Sequence, residues 1–260
     1  MTSTSVRRHK ATGLVVLLAG LVTTGIGYAA VTSTAEASVP QASQGQLDQG
    51  HQIFLEGCAT CHGLAAQGSS DGPSLIGVGA AAVDFQVSTG RMPLAAPDNQ
   101  APQKAVVYTA DQISALAAYV ASLGPGPSIP SASDVSTTDA ELAEGGVLFR
   151  TNCAQCHNFA GRGGALSDGK YAPSMMNATP TQMYEAMLTG PQNMPVFNDK
   201  TMPPAQKQAI IKYIKNLQQA QAPGGLALGS YGPVTEGVFI WTAGIGALLA
   251  AAVWIGAKVR

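Results

Sequence analysis

The chain has 260 residues, of which only 11% are charged, and it contains 30 glycines and 16 prolines. Such a composition is typical of a protein that is rich in loops and has few surface charges for its size. The net charge is -1 and no basic stripe runs through the interior of the sequence, so we exclude nucleic acid as a partner.

The N-terminal region combines a basic cluster at residues 7–10 with an uncharged, largely apolar run at residues 11–31. This run is about as long as a membrane-spanning helix. A secretory signal peptide with a cleavage motif at residues 35–37 is the alternative, but its apolar part is normally about 7 to 15 residues long. We therefore favour an uncleaved transmembrane anchor at residues 1–31, followed by a linker at residues 32–46.

The middle of the chain contains an internal repeat. Residues 50–62 correspond to residues 145–157, and the correspondence continues from residues 72–75 to 172–175 and from residues 116–123 to 210–217. Two copies of one domain are predicted, at residues 47–123 and 139–217. The prolines and glycines of residues 124–138 form the linker between them.

Each copy is predicted to be mainly α-helical, with no alternating pattern of β-branched residues. The first helix of each copy begins near Leu47 or Ala140, and the last covers residues 111–123 or 204–217. Apolar residues at helical spacing give each last helix one buried face. Each copy has few hydrophobic residues, so this face needs a large group to pack on.

The C-terminal region repeats the features of a membrane anchor. A linker at residues 218–236 leads into an apolar run, and residues 237–260 are predicted to form a transmembrane helix with Trp241 and Trp254 as interfacial aromatic residues. A buried core helix is the alternative. Lys258 and Arg260 follow the run, so positive charge flanks both predicted helices on the cytoplasmic side. We therefore expect a multi-pass protein of the cell membrane with both domains outside.

All four cysteines belong to two Cys-x-x-Cys-His pentads. The pentads contain Cys58, Cys61 and His62 in the first copy and Cys153, Cys156 and His157 in the second. Two thiols at this spacing form thioethers with the vinyl groups of haem, and the adjacent imidazole reaches the iron. A zinc site, disulfides and a thioredoxin-like redox pair are the alternatives. We predict two covalently bound haem c groups.

Methionine is the expected ligand on the opposite side of each iron. Met92 and Met194 are the candidates, because each precedes a proline and follows a Thr-Gly pair in the repeat. Met202, also followed by proline, is the rival of Met194. The carbonyls of Pro73 and Pro173 are candidates to orient the two histidines. Arg91 is expected either to meet a haem propionate or to face solvent.

With both axial positions filled, neither iron has an open site for a substrate. Since no other catalytic constellation is present in the sequence, the chain is interpreted as an electron carrier that is not catalytic alone. A peroxidase would require one haem to lose its methionine. A zinc- or disulfide-stabilised binding module would contain no haem.

The sequence resembles the dihaem cytochrome c subunit of the actinobacterial menaquinol:cytochrome c reductase, the cytochrome bc complex. The segments that carry the resemblance are the two pentads, residues 72–77, 85–93, 163–167, 169–173 and 187–195, and the terminal anchor. The resemblance implies two tandem class I cytochrome c domains, and cytochrome b and Rieske iron–sulfur subunits as partners. It also implies transfer to the copper centre of an aa-type oxidase. A cytochrome subunit of another membrane-bound dehydrogenase or oxidase is the alternative.

Overall fold

The described part of the chain is mainly helical, as the sequence predicts. A computed structural model describes residues 4–35, 42–220, 228–230 and 233–258. The α-helices in these ranges are α1 (Thr4–Ala35), α2 (Gln44–Gly57), α3 (Ala59–His62), α4 (Gly79–Ser88), α5 (Ala110–Ser122), α6 (Leu142–Asn152), α7 (Ala154–His157), α8 (Pro180–Thr189), α9 (Pro204–Gln219) and α10 (Pro233–Lys258). Residues 1–43 form one structural unit and residues 44–260 form a second.

The first domain is built on a close crossing of α2 and α5. Gly50 of α2 lies against the backbone carbonyl of Ala115, where a Cβ atom at residue 50 would overlap the oxygen. Phe54, about one turn further along α2, is fully buried, and its ring centroid lies 5.4 Å from that of Tyr119. The helix α4 also packs on α5. The crossing therefore depends on a glycine and is extended by an aromatic pair.

The second domain repeats this crossing with α6 and α9. Gly145 lies against the carbonyl of Ala209, and the ring centroids of Phe149 and Tyr213 are again 5.4 Å apart. The repeat in the sequence is therefore also a repeat in helix packing.

Two helices begin with the same capping arrangement. The hydroxyl of Thr109 accepts a hydrogen bond from the amide of Gln112 at the start of α5, and the Gln112 side chain accepts one from the amide of Thr109. Thr179 and Gln182 form the same capping box at the start of α8. Each box satisfies backbone amides that the first helical turn leaves without a partner.

The second domain contains a short β-hairpin that the sequence analysis did not predict. The strands β1 (Gly164–Ala165) and β2 (Tyr171–Ala172) pair in antiparallel fashion, with Gly164 opposite Ala172. Two-residue strands are too short to show the alternation of apolar and polar residues that identifies a strand.

The two domains pack on each other within the second unit. Helix α4 of the first domain contacts α8 of the second. The Gln100 side chain donates a hydrogen bond to the carbonyl of Tyr171 (2.7 Å) and accepts one from its amide (2.9 Å). The Gln192 side chain donates to the carbonyl of Ala101 at 3.3 Å. The segment predicted as the interdomain linker also contacts the first domain, since the amide of Ala81 donates to the carbonyl of Pro127.

Among the described residues, α10 is the one helix that is long and apolar enough to span a membrane. Its span at 234–258 has a mean hydropathy of 2.1, and its side chains are exposed in the protein alone. The predicted N-terminal run forms the helix α1, but its described apolar part at residues 12–28 is shorter. A second span therefore stays a prediction. Residues 36 and 37 of the cleavage motif, Arg260 and parts of the linkers at 32–46 and 218–236 lie outside the described residues.

Candidate haem sites

Each pentad begins where a long helix ends. Helix α2 stops at Gly57, and a further helical turn, α3, follows Cys58. The amide of Cys58 donates to the carbonyl of Phe54, and the amide of His62 donates to that of Cys58 at 3.0 Å. This turn brings both thiols and the imidazole to one cavity of about 470 Å³, which we call cavity 1.

The second pentad has the same construction at the end of α6. The amide of Cys153 donates to Phe149, and that of His157 donates to Cys153 at 2.9 Å. Cys153, Cys156 and His157 border a cavity of about 350 Å³, which we call cavity 2.

A backbone carbonyl orients each pentad histidine. The Nδ1 atom of His62 lies 2.7 Å from the carbonyl oxygen of Pro73, and that of His157 lies 2.9 Å from the oxygen of Pro173. A carbonyl only accepts hydrogen bonds, so Nδ1 carries the proton and Nε2 has a free lone pair for a metal. Burial lowers the pKa of His157, and the hydrogen bond to Pro173 opposes this effect. The net lowering of the pKa favours a neutral imidazole, which is the form that binds a metal.

The loop after each histidine also repeats. Gly68 donates to the carbonyl of His62 at 2.7 Å, and Gly163 donates to that of His157 at 2.9 Å. The sequence analysis did not assign a role to these glycines, although their equal distance from the two histidines was visible in the repeat.

Two of the three candidate methionines border a cavity, and the third does not. Met92 borders cavity 1. Met194 borders cavity 2, as do Met175, Met183 and Met187. Met202 is only 4% exposed and packs in the core of the second domain, and it is not among the residues that border cavity 2.

The first thiol of each pentad is partly buried. Burial, with a smaller effect from the neighbouring cysteine, raises the pKa of Cys58 and of Cys153 to about 11. All four cysteines are free, and the described residues contain no cluster of three or more His, Cys, Asp or Glu side chains that could hold a metal ion.

The cavities are bordered mainly by apolar side chains behind the pentads. Aliphatic and aromatic side chains border cavity 1 behind the pentad, and they are Phe54, Leu75, Val83, Val87, Leu116 and Val120. The corresponding side chains of cavity 2 are Met175, Met183, Met187, Phe197, Ile210 and Ile214. The last helix of each domain thus faces a cavity, in agreement with the predicted need for a large packing partner. Two thiols and an imidazole at one edge of an apolar cavity are the groups that haem c requires.

The two cavities meet at the interface between the domains. Gln100, Ala101 and Gln192 border both of them. Four further residues of the first domain border cavity 2, and they are Phe85, Thr89, Arg91 and Gln103. The sequence analysis missed this arrangement, because the repeat assigns each residue to its own domain.

Family comparisons match each domain separately. Residues 47–124 match the family described as Cytochrome c, and residues 140–214 match the family described as Cytochrome C oxidase, cbb3-type, subunit III. The two domains are therefore cytochrome c domains, and the chain has two covalent haem c groups.

Curated relatives match nearly the whole chain, and each of three is named Cytochrome bc1 complex cytochrome c subunit. The relative from Corynebacterium efficiens is 45% identical over 267 residues, which cover 96% of this chain and 90% of the relative. The relative from Corynebacterium diphtheriae is 46% identical, with coverages of 96% and 95%. The relative from Mycobacterium tuberculosis is 46% identical over 258 residues, with coverages of 96% and 92%.

Proposed function

The chain belongs to the family of cytochrome bc1 complex cytochrome c subunits, and on this basis we propose that it carries electrons from that complex to a terminal oxidase. Electrons would leave a Rieske iron–sulfur centre, pass through both domains in turn and reach the copper centre of an aa-type oxidase. The partners would be the cytochrome b subunit, the Rieske subunit and the oxidase. No soluble carrier would be needed.

The contact between the two cavities is the observation that carries this proposal. Gln100, Ala101 and Gln192 border both cavities, so a single layer of residues separates them at this place. The hydrogen bonds from Gln100 to Tyr171 and from Gln192 to Ala101 hold the layer together. Bound haem supplies reversible one-electron chemistry at iron. Two such sites in one packed unit can act in series.

We assign the groups that would hold each haem from the repeated geometry. The four pentad cysteines, Cys58, Cys61, Cys153 and Cys156, would form the thioethers, and His62 and His157 would bind the irons. The carbonyls of Pro73 and Pro173 would fix the imidazole rings, a role supported by the two Nδ1 distances.

We assign Met92 and Met194 as the second axial ligands. Four methionines border cavity 2, so position alone does not select one of them. The repeat in the sequence favours Met194, because Met194 corresponds to Met92 of the first domain. The other three, Met175, Met183 and Met187, correspond to Leu75, Val83 and Val87. A ligand common to both domains must be a methionine in both. Burial of Met202 in the core supports a packing role for that residue.

For the membrane arrangement, we propose that α1 and α10 both span the bilayer. The two haem domains, at residues 47–123 and 139–217, would lie on the extracytoplasmic face, and both termini would be cytoplasmic. The exposed apolar side chains of α10 and the positive charge of residues 7–10 and Lys258 support this topology.

Oxygen consumption by membranes supplied with quinol, without added soluble cytochrome c, tests the route. A Met92→His variant should consume oxygen much more slowly, because imidazole ligation lowers the reduction potential of the first haem in the series. Met202→Leu is the matched control and should leave the rate unchanged. Unchanged oxygen consumption in Met92→His would show that electrons bypass this chain.

The match of residues 140–214 to an oxidase subunit family favours a second candidate, a cytochrome subunit of an oxidase. That match covers one domain, whereas the cytochrome bc1 relatives cover 96% of the chain. Purification through an affinity tag on this chain distinguishes the two. Recovery of the cytochrome b and Rieske subunits supports the first candidate, and recovery of an oxidase without them supports the second.

A further inference from the structure

Two consecutive residues of the first domain border different cavities. Met92 borders cavity 1, whereas Arg91 borders cavity 2 together with Phe85. The amides of Arg91 and Met92 both donate to the carbonyl of Gln86 at 2.9 Å, which fixes the turn that follows α4. One tight turn therefore serves both candidate haem sites.

The guanidinium group of Arg91 lies at the edge of cavity 2. Its central carbon is 5.0 Å from the ring centroid of Phe85, which borders the same cavity. Arg91 is only partly exposed to solvent. Tyr171 belongs to the second domain and also borders cavity 2. The guanidinium thus lies among residues of both domains.

Arg91 lacks an acidic partner among the described residues. The one ion pair within these residues joins Lys207 and Asp199. A partly buried guanidinium that has lost part of its hydration is costly unless it meets a negative charge. The aromatic ring of Phe85 compensates only in part, since a cation–π contact does not neutralise the charge. A carboxylate in cavity 2 would compensate this charge.

We propose that Arg91 of the first domain binds a propionate group of the haem in the second domain, and so raises the reduction potential of that haem. A planar guanidinium suits a carboxylate because it can donate two parallel hydrogen bonds. Positive charge beside a haem favours the reduced state, which carries one electron more. The inference rests on cavity 2 as a haem site but not on the proposed electron route, so either can fail without the other.

Redox titration of the purified full-length chain, followed by visible spectroscopy, tests this role with Arg91→Gln and Arg91→Lys. A parallel titration of Met92→His shows which measured potential belongs to which haem, because only the first haem changes its ligand in this variant. Lys104→Gln is the control, because Lys104 is also in the first domain, donates to the carbonyl of Pro93 and is not among the residues that border either cavity.

Arg91→Gln should lower the potential of the second haem and leave that of the first nearly unchanged. At a fixed applied potential, the ratio of reduced to oxidised second haem should fall about tenfold, as expected for one partly screened charge. Arg91→Lys keeps the charge and should cause a smaller fall. Lys104→Gln should not reproduce the selective shift. A shift confined to the first haem, or no shift in either, would overturn the proposal.

Discussion

The carboxyl group of Glu185 in α8 is buried against Asp84 in α4, so two acids from different domains meet where these helices pack. Burial is the main cause that raises the pKa of Glu185 to about 9, and the nearby charge of Asp84 adds to the effect. Glu185 forms no ion pair among the described residues, since the one such pair joins Lys207 and Asp199. Glu185 is therefore neutral at pH 7.

This pair predicts that stability falls as the pH rises. An unfolded chain ionises Glu185 near its ordinary pKa of 4.5, whereas the folded protein keeps the proton up to about 9. The folded state therefore binds more protons within this window, and the free energy of unfolding decreases across it. Glu185→Gln removes the titrating group and should flatten the pH dependence of the thermal midpoint. The exposed residue Glu144 supplies the control variant Glu144→Gln, and parallel curves for all three proteins would contradict the prediction.

The assignment of Met194 as a haem ligand predicts different results for substitutions of Met194 and Met202. Met194→His should lower the potential of the second haem, because imidazole replaces the thioether sulfur on iron. Met202→Leu should leave the potential and the spectrum nearly unchanged and cost less than about 1.5 kcal/mol of stability, since this exchange conserves volume in a core. Potentials are measured by redox titration. Loss of the low-spin methionine-ligated spectrum of the second haem in Met202→Leu would mean that Met202 is the ligand.

The close crossing of α2 and α5 predicts that replacing a glycine of α2 by alanine changes stability by an amount that depends strongly on its position. Gly50→Ala places a methyl group against the carbonyl of Ala115 and should cost about 1 to 3 kcal/mol. Gly45→Ala, where no atom lies within 4 Å of the added methyl group, should be neutral or stabilise the helix by about 0.5 to 1 kcal/mol. Thermal unfolding compares the two. Equal midpoints would argue against a close crossing of α2 and α5.

Membrane topology predicts where reporter fusions are active. A reporter that works only outside the cytoplasm should be active when fused within residues 124–138 and inactive when fused after Arg260. A reporter that works only in the cytoplasm should show the opposite pattern. Cytoplasmic activity of the fusion within residues 124–138 would reverse the orientation inferred from the positive charges.

The sequence predicted local features better than contacts between domains. The pentads were recognisable because their thiols and imidazole lie within about one helical turn, and the repeat predicted two helical domains. The position of Arg91 at cavity 2 was not predictable, since its register in the repeat assigns it to the first domain. The meeting of Asp84 and Glu185 depends on how α4 packs on α8, which no local pattern encodes.

Near-infrared magnetic circular dichroism of the oxidised full-length chain tests the central claim most directly, because it distinguishes histidine–methionine from histidine–histidine and high-spin haems. The account predicts two histidine–methionine haems for each chain, as the pentads and the paired residues Met92 and Met194 require. One such haem for each chain, a histidine–histidine signal or a high-spin signal would contradict it.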